Sequence, residues 1–392
     1  MSKPIKTCVL GVGLGGLVFH VPFVLILPQY FTLHAVMERN PASPNRGKAH
    51  EKFDGKGSIN MSNVKIHRTL DAVVSDPEVE LVVVTTPNET HYSLAKAALQ
   101  AGKHVLVDKP VTATSQEAKE LGALAKSKGL VLYGFQNRRW DSDFLALRRL
   151  LSLPASSPQS LGEIHEFESQ TLTLFAASYD RYRTDVKGTW KDEPKPSNGL
   201  VYDLGAHLID QALALFGRPE KVTAFISNMR GVGSPEVDDN FTIFFHYPVR
   251  SGGSHPLTVI LRAAILSARA PQLRYVVRGT KGTFLKYGLD VQEDQIKAMD
   301  SPEGIINQPG YGKEPESIWG EVQNFKGEDI VSTTWPTEEA GCYVELWKNL
   351  GEAIRNGKEQ AVKWEESAAV IEMIELSHQS SKEGRTVPVP KA

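Results

Sequence analysis

Solidly apolar runs alternate with amphipathic stretches along the first third of the chain. "KTCVLGVG" predicts a strand that ends in glycines. "FTLHAVMER", "VELVVVTTP" and "HVLVDKP" predict a second, third and fourth strand, and "LVLYGFQNR" one more. Between them "HYSLAKAALQAG" and "SQEAKELGALAKSKG" read as helices, each closed by glycine, the usual residue just past a helix C-terminus. Strands that are apolar throughout, alternating with helices, predict a parallel sheet covered on both faces.

The pattern changes near residue 140. "DFLALRRLLSL" reads as a helix, "GEIHEFESQTLTLF" alternates like a half-exposed strand, and "LVYDLGAHLIDQALALFG" is a long amphipathic helix. From about residue 221 to 292, "KVTAFISNM", "NFTIFFHYP", "PLTVILRAAIL" and "LRYVVRGTKGTFLKY" predict strands separated by Gly, Pro and Ser. That predicts a large, mostly antiparallel sheet with helices on one face. The chain ends in two helical patterns, and "SPEGIINQPGYGKEPES" reads as a loop. The expected fold is therefore α/β, with a dinucleotide-binding domain over residues 1–138 and a second α/β domain over 139–392.

A length of 392 residues agrees with two domains. A formal net charge of −2 gives no basic surplus for nucleic acid. The most apolar stretch, "GGLVFHVPFVLILPQYF", is interrupted by His20, Pro22 and Pro28, too short and broken for a membrane span. Two cysteines exclude a disulfide framework. With no room for a signal peptide before the first apolar run, a reducing, cytoplasmic setting is the expectation.

Candidate chemistry clusters where strands end. Gly11-x-Gly13-x-x-Gly16 follows the first strand, the arrangement that lets backbone approach a pyrophosphate at a helix start. Glu38, at the end of the second strand, could accept hydrogen bonds from a ribose 2′-hydroxyl, whereas Arg39 could hold a 2′-phosphate. Thr86, Pro87 and Asn88 end the third strand, and His91 opens the next helix, as cofactor contact or as a helix-start polar residue. Asp108, Lys109 and Pro110 leave the same sheet edge, the proline biasing Lys109 toward extended backbone. Asp203 and His207 stand four apart on one helix, with Asp210 three further on. No HxxxH or HExxH accompanies them, so no metal site is expected, and an oriented histidine that exchanges a proton is the functional reading.

These motifs, "GVGLGG", "TTPNETH", "DKPVTAT" and "VYDLGAHLIDQAL", together resemble the Gfo/Idh/MocA oxidoreductases over nearly the whole chain. "GFQNRRWDSDF" and "YDRYRTDVKGTW" resemble a branch that includes NADP-dependent scyllo-inositol dehydrogenases. The resemblance implies a Rossmann domain, an open sheet that joins subunits into a homodimer or homotetramer, and a polyol or sugar substrate. It implies NADP in preference to NAD. It makes Lys109, Asp203 and His207 the catalytic set, places Asn137 and Arg139 with the cofactor contacts, and places Trp140 and Tyr179 at the substrate. The rival from another class is a non-catalytic dinucleotide or sugar sensor on the same fold, because fold does not settle function.

Overall fold

A computed structural model describes residues 3–170, 188, 190–266 and 270–391. It divides into two compact units, one formed by Met1–Asn137, Gln292–Tyr311 and Cys342–Ile371, the other by Arg138–Val291, Gly312–Gly341 and Glu372–Ala392.

The first unit holds a six-stranded parallel sheet: β1 (Ile5–Leu10), β2 (Phe31–Met37), β3 (Lys65–His67), β4 (Leu81–Val84), β5 (His104–Val107) and β6 (Leu132–Gly134). Their spatial order is β3-β2-β1-β4-β5-β6. β4 and the last three residues of β5 are buried throughout, as their unbroken aliphatic runs predict. The order reverses between β1 and β4, so their C-terminal ends diverge into the crevice where such sheets bind ligands. The helices expected after β4 and β5 form at His91–Gln100 and Ser115–Lys128. The second opens with a reciprocal cap between Thr114 and Glu117 and ends at Gly129 in the left-handed region.

The second unit holds a nine-stranded sheet: β7 (Ile164–Gln170), β8 (Lys221–Ser227), β9 (Asn240–Tyr247), β10 (Leu257–Ala264), β11 (Leu273–Gly279), β12 (Gly282–Tyr287), β13 (Gly320–Lys326), β14 (Asp329–Trp335) and β15 (Val387–Pro388). The order is β14-β13-β12-β11-β7-β10-β9-β8-β15; β7 and β10 run parallel and the other neighbours antiparallel. β9 alternates buried and half-buried residues along its length, the mark of a sheet with one covered face. The helix Ala206–Phe216 packs against β10, and Phe216 meets Phe167 of β7 edge-on at 5.1 Å.

The first unit's leading segment ends at Asn137, and the chain returns to that unit twice. The second return is driven by aromatic burial. Trp347, on the helix Val344–Asn356, is fully buried, stacks on Phe23 at 6.2 Å and meets Phe31 edge-on at 5.5 Å. The final helix, Trp364–Glu383, begins in the first unit and ends in the second. "SPEGIINQPGYGKEPES" is a loop that carries a short helix, Gly304–Asn307, and runs into the turn Glu316–Ile318. Among the described residues no helix is long and apolar enough to cross a membrane.

Candidate active site

The first unit's candidate residues lie at the C-terminal ends of β1, β2, β4 and β5. Gly11 has φ +106°, and a Cβ on it would stand 2.7 Å from the Thr85 carbonyl oxygen. A Cβ on Gly16 would run into the Gly11 carbonyl, whereas nothing lies within 4 Å of one on Gly13. Gly11 and Gly16 therefore permit a tight loop, and Gly13 keeps an open side toward which a bulky anion can come. The Leu17 N–H donates to the Gly13 carbonyl at 3.0 Å, and the chain continues as a wide helical turn, Gly15–His20, then as Val21–Ile26. This cradle fits the pyrophosphate of a dinucleotide, whose charge suits backbone N–H groups at a helix start.

Glu38 is buried, and its Oε2 accepts the Lys48 N–H at 2.9 Å, so this carboxylate is turned onto the start of the next helix. Arg39 is exposed, and its carbonyl accepts from Arg68 Nε at 3.2 Å, which brings two guanidinium-bearing residues to the end of β2. After β4, the Thr86 and Thr90 hydroxyls meet at 2.6 Å, and Thr90 donates to the Pro87 carbonyl, closing the turn Asn88–Thr90. His91 is 1% exposed; its Nδ1 lies 2.8 Å from the Pro110 carbonyl and its Nε2 2.9 Å from the Thr86 carbonyl. The imidazole thus lies between a carbonyl from each strand-end loop, and the neutral ring donates to one of them at a time. Burial lowers its pKa and outweighs the carbonyl contacts and the nearby Asp108.

Lys109 is half-buried where β5 ends, and its peptide bond to Pro110 is cis. Its backbone N–H donates to Asp108 Oδ1 at 2.7 Å. Asp108 Oδ2 lies 3.1 Å from His20 Nε2 and 3.4 Å from Thr85 Oγ1. Burial pushes this carboxyl up, but the His20 hydrogen bond and the charges of His20, Lys109 and His91 together hold it below the ordinary value. The sequence reading did not place His20 in the site. Its one signal is a lone histidine inside the most apolar run of the chain.

The second unit's candidate residues are carried by the helical turn Val201–Gly205 and the helix Ala206–Phe216. Asp238 Oδ2 accepts the Val201 N–H at 2.8 Å, anchoring the start. Burial raises the Asp238 pKa to about 6 against the pull of those backbone donors. His207 is 7% exposed, and Asp203, in the preceding wide turn, lies 3.3 Å from Lys191 Nζ. Asp210 takes two hydrogen bonds from Arg139, at 2.8 and 2.6 Å. Gln211 donates to the Arg138 carbonyl and accepts from the buried Arg274, both at 2.8 Å; Arg274 in turn donates to Asp143 at 2.6 Å. The helix bearing His207 is thus pinned by ion pairs and amides.

Arg139, expected at the cofactor, has its guanidinium engaged by Asp210. Asn137 is buried and Trp140 half-buried, both on the short turn Asn137–Trp140. Tyr179 lies outside the described residues. Among the described residues, His34, Asp76 and Glu78 form a group with metal-ligand spacing, but Lys65 Nζ sits 3.3 Å from Asp76 Oδ2 and 3.2 Å from Glu78 Oε2. One ammonium already bridges both carboxylates, and the group reads as an ion-pair cluster.

A parallel sheet with a glycine cradle at its switch point, followed by a large mixed sheet, defines a dinucleotide-binding oxidoreductase. Residues 5–135 match the family model for the oxidoreductase NAD-binding Rossmann fold, GFO_IDH_MocA, and residues 158–389 match the C-terminal alpha/beta domain of the same family. The chain belongs to the Gfo/Idh/MocA oxidoreductase family. It is 39% identical to the uncharacterized oxidoreductase C26H5.09c of Schizosaccharomyces pombe, over 98% of this chain and 99% of that one. It is 33% identical to the scyllo-inositol 2-dehydrogenase (NADP(+)) IolW of Bacillus subtilis, over 98% and 95%. The crystal structure of an oxidoreductase from Bacillus cereus superposes with TM-score 0.77 at 28% identity, covering 99% of each chain.

Proposed function

We propose that this oxidoreductase interconverts a secondary hydroxyl and a carbonyl on a cyclic polyol or sugar of the inositol type, with NADP preferred over NAD. The observation that carries the reading is the fixed histidine. His207 rides a helix held at its start by Asp238 and further along by Arg139 and Arg274, the rigidity a proton-transfer group needs. The bound nicotinamide would supply hydride-transfer chemistry, and the protein supplies position and proton movement. His207 takes the hydroxyl proton on oxidation and returns it on reduction. Asp203 orients His207 or binds a neighbouring hydroxyl. Lys109 donates to the reacting oxygen. Residues 11–16 hold the pyrophosphate through backbone groups.

The NADP preference is supported by exposed Arg39 beside Arg68 and by the turn of Glu38 onto Lys48, away from the role of a ribose acceptor. The whole-chain likeness to an NADP-dependent inositol dehydrogenase points the same way. Assembly into a homodimer or homotetramer through the second sheet is supported by exposed Phe225, Phe325 and Ile330, which lie 63%, 68% and 64% open on its strands.

The test is a spectrophotometric screen of inositols and aldoses with NADP and NAD. Reduced cofactor is expected with at least one cyclic polyol or pyranose, faster with NADP. Tight cofactor binding with no turnover on any of them would favour a sensor.

A further inference from the structure

His20 presents a problem of packing. It is 0% exposed, lies 4.4 Å from the Phe135 ring and 5.8 Å from the Trp347 ring, and its Nδ1 is buried with no hydrogen-bond partner among the described residues. A phenylalanine would fill such a niche without leaving a polar atom unsatisfied. What the imidazole adds is its other nitrogen. Nε2 reaches Asp108 Oδ2 at 3.1 Å, and the opposite oxygen of the same carboxylate accepts the Lys109 N–H. Thr85 Oγ1 approaches Oδ2 from just past the end of β4, and the two aromatic rings hold the imidazole.

We propose that His20 is a positioning residue for Lys109, acting through the Asp108 carboxylate. The imidazole, itself immobilised by Phe135 and Trp347, fixes the plane of Asp108, and Asp108 fixes the backbone from which the lysine projects. His20 also ends the wide turn that begins at Gly15. The inference rests on the reading that Lys109 addresses the reacting oxygen.

The test uses the full chain with NADP bound, and three variants. His20→Phe keeps the packing and deletes the donor, His20→Gln keeps a donor, and Asp108→Asn replaces the oxygen that His20 addresses. Two quantities are read: the rate at which acetic anhydride acetylates Lys109, by mass spectrometry against the other lysines, and turnover of scyllo-inositol. His20→Phe should change Lys109 acetylation severalfold and lower kcat by about tenfold, since misplacement by an ångström can cost up to about 10²-fold. KM and NADP affinity should move little, and His20→Gln should restore most of both signals. If His20→Phe melts early, Asp108→Asn makes the same comparison without disturbing the aromatic cluster. Native acetylation and kcat in both His20→Phe and Asp108→Asn overturn the proposal. The effect of His20→Phe should also disappear in a Lys109→Met background. An undiminished effect there overturns the brace alone, whereas native turnover in Lys109→Met itself overturns the lysine reading and the brace with it.

Discussion

Arg139 grips Asp210 through two parallel hydrogen bonds, 2.8 and 2.6 Å long, with the carboxylate side chain 3% exposed. Asp210 stands one turn beyond His207 on the same helix, and Arg139 reaches it from the turn Asn137–Trp140. Removing one partner of a buried pair leaves the other charge uncompensated, typically at about 3–5 kcal/mol. Arg139→Ala should lower unfolding free energy by roughly that amount. It should reduce kcat while leaving NADP affinity close to native. Urea titration and cofactor fluorescence check both, and a native-like kcat would detach this pair from the positioning of His207.

His207→Ala removes the proposed proton carrier. General acid–base catalysis is worth about 10²–10⁴-fold, so kcat should fall by that factor and the pH profile should lose a limb. Lys109→Met keeps the aliphatic stem and deletes the charge, lowering kcat/KM. Dinucleotide affinity should hold in both, because backbone groups at residues 11–16 carry the pyrophosphate. Steady-state rates across pH decide each role: near-native kcat in His207→Ala would end the proton-transfer assignment.

Arg39→Ala should lower the ratio of kcat/KM with NADP to that with NAD by about tenfold or more, the loss of one charge-assisted contact of about 1.5–3 kcal/mol. Arg68→Ala should move the ratio the same way by less. An unchanged ratio in Arg39→Ala would assign that side chain to solvent.

His91 makes stability depend on pH. Its folded pKa is lowered, chiefly by burial, so below the unfolded value of about 6.5 the unfolded chain binds more protons. Stability is therefore fully present above that value and is lost as pH falls from there toward the folded pKa. His104, His246 and His378 are lowered by burial too and act in the same sense. Asp238, raised to about 6, acts in the opposite sense over the same window, so the His91 effect is read as a difference: from pH 7 to pH 5 the native thermal midpoint should fall relative to that of His91→Gln. An equal slope in that variant would remove His91 from the effect.

The strands of the first sheet were legible because β1, β4 and β5 are aliphatic and end in glycine, threonine-proline or lysine-proline. β3 escaped notice because three residues, Lys65–His67, carry no period. β13 and β14 escaped for another reason. Most of the outer strand is exposed, so "DIVSTTW" shows no buried face to set an alternation. In the site, single residues at strand ends could be named, but their uses could not. Glu38 and Arg139 are typical ligand-binding types, and only three dimensions reveal that Lys48 and Asp210 engage them. His20 belongs to the chemistry through a residue 88 positions away, a distance no local pattern spans.

The return of the chain to the first unit bears on how the protein is made. When residue 137 has left the ribosome, every strand of the parallel sheet has been synthesised, yet Trp347 has not. Phe23, Phe31 and Phe135 then lack the ring that covers them, and Tyr133 lacks Asn349, which accepts its hydroxyl hydrogen bond at 2.8 Å. The nascent Rossmann sheet therefore waits, with aromatic surface open, until the chain between residues 137 and 347 has been made. That is the interval in which a holding chaperone would matter and in which partly made chains are most prone to associate.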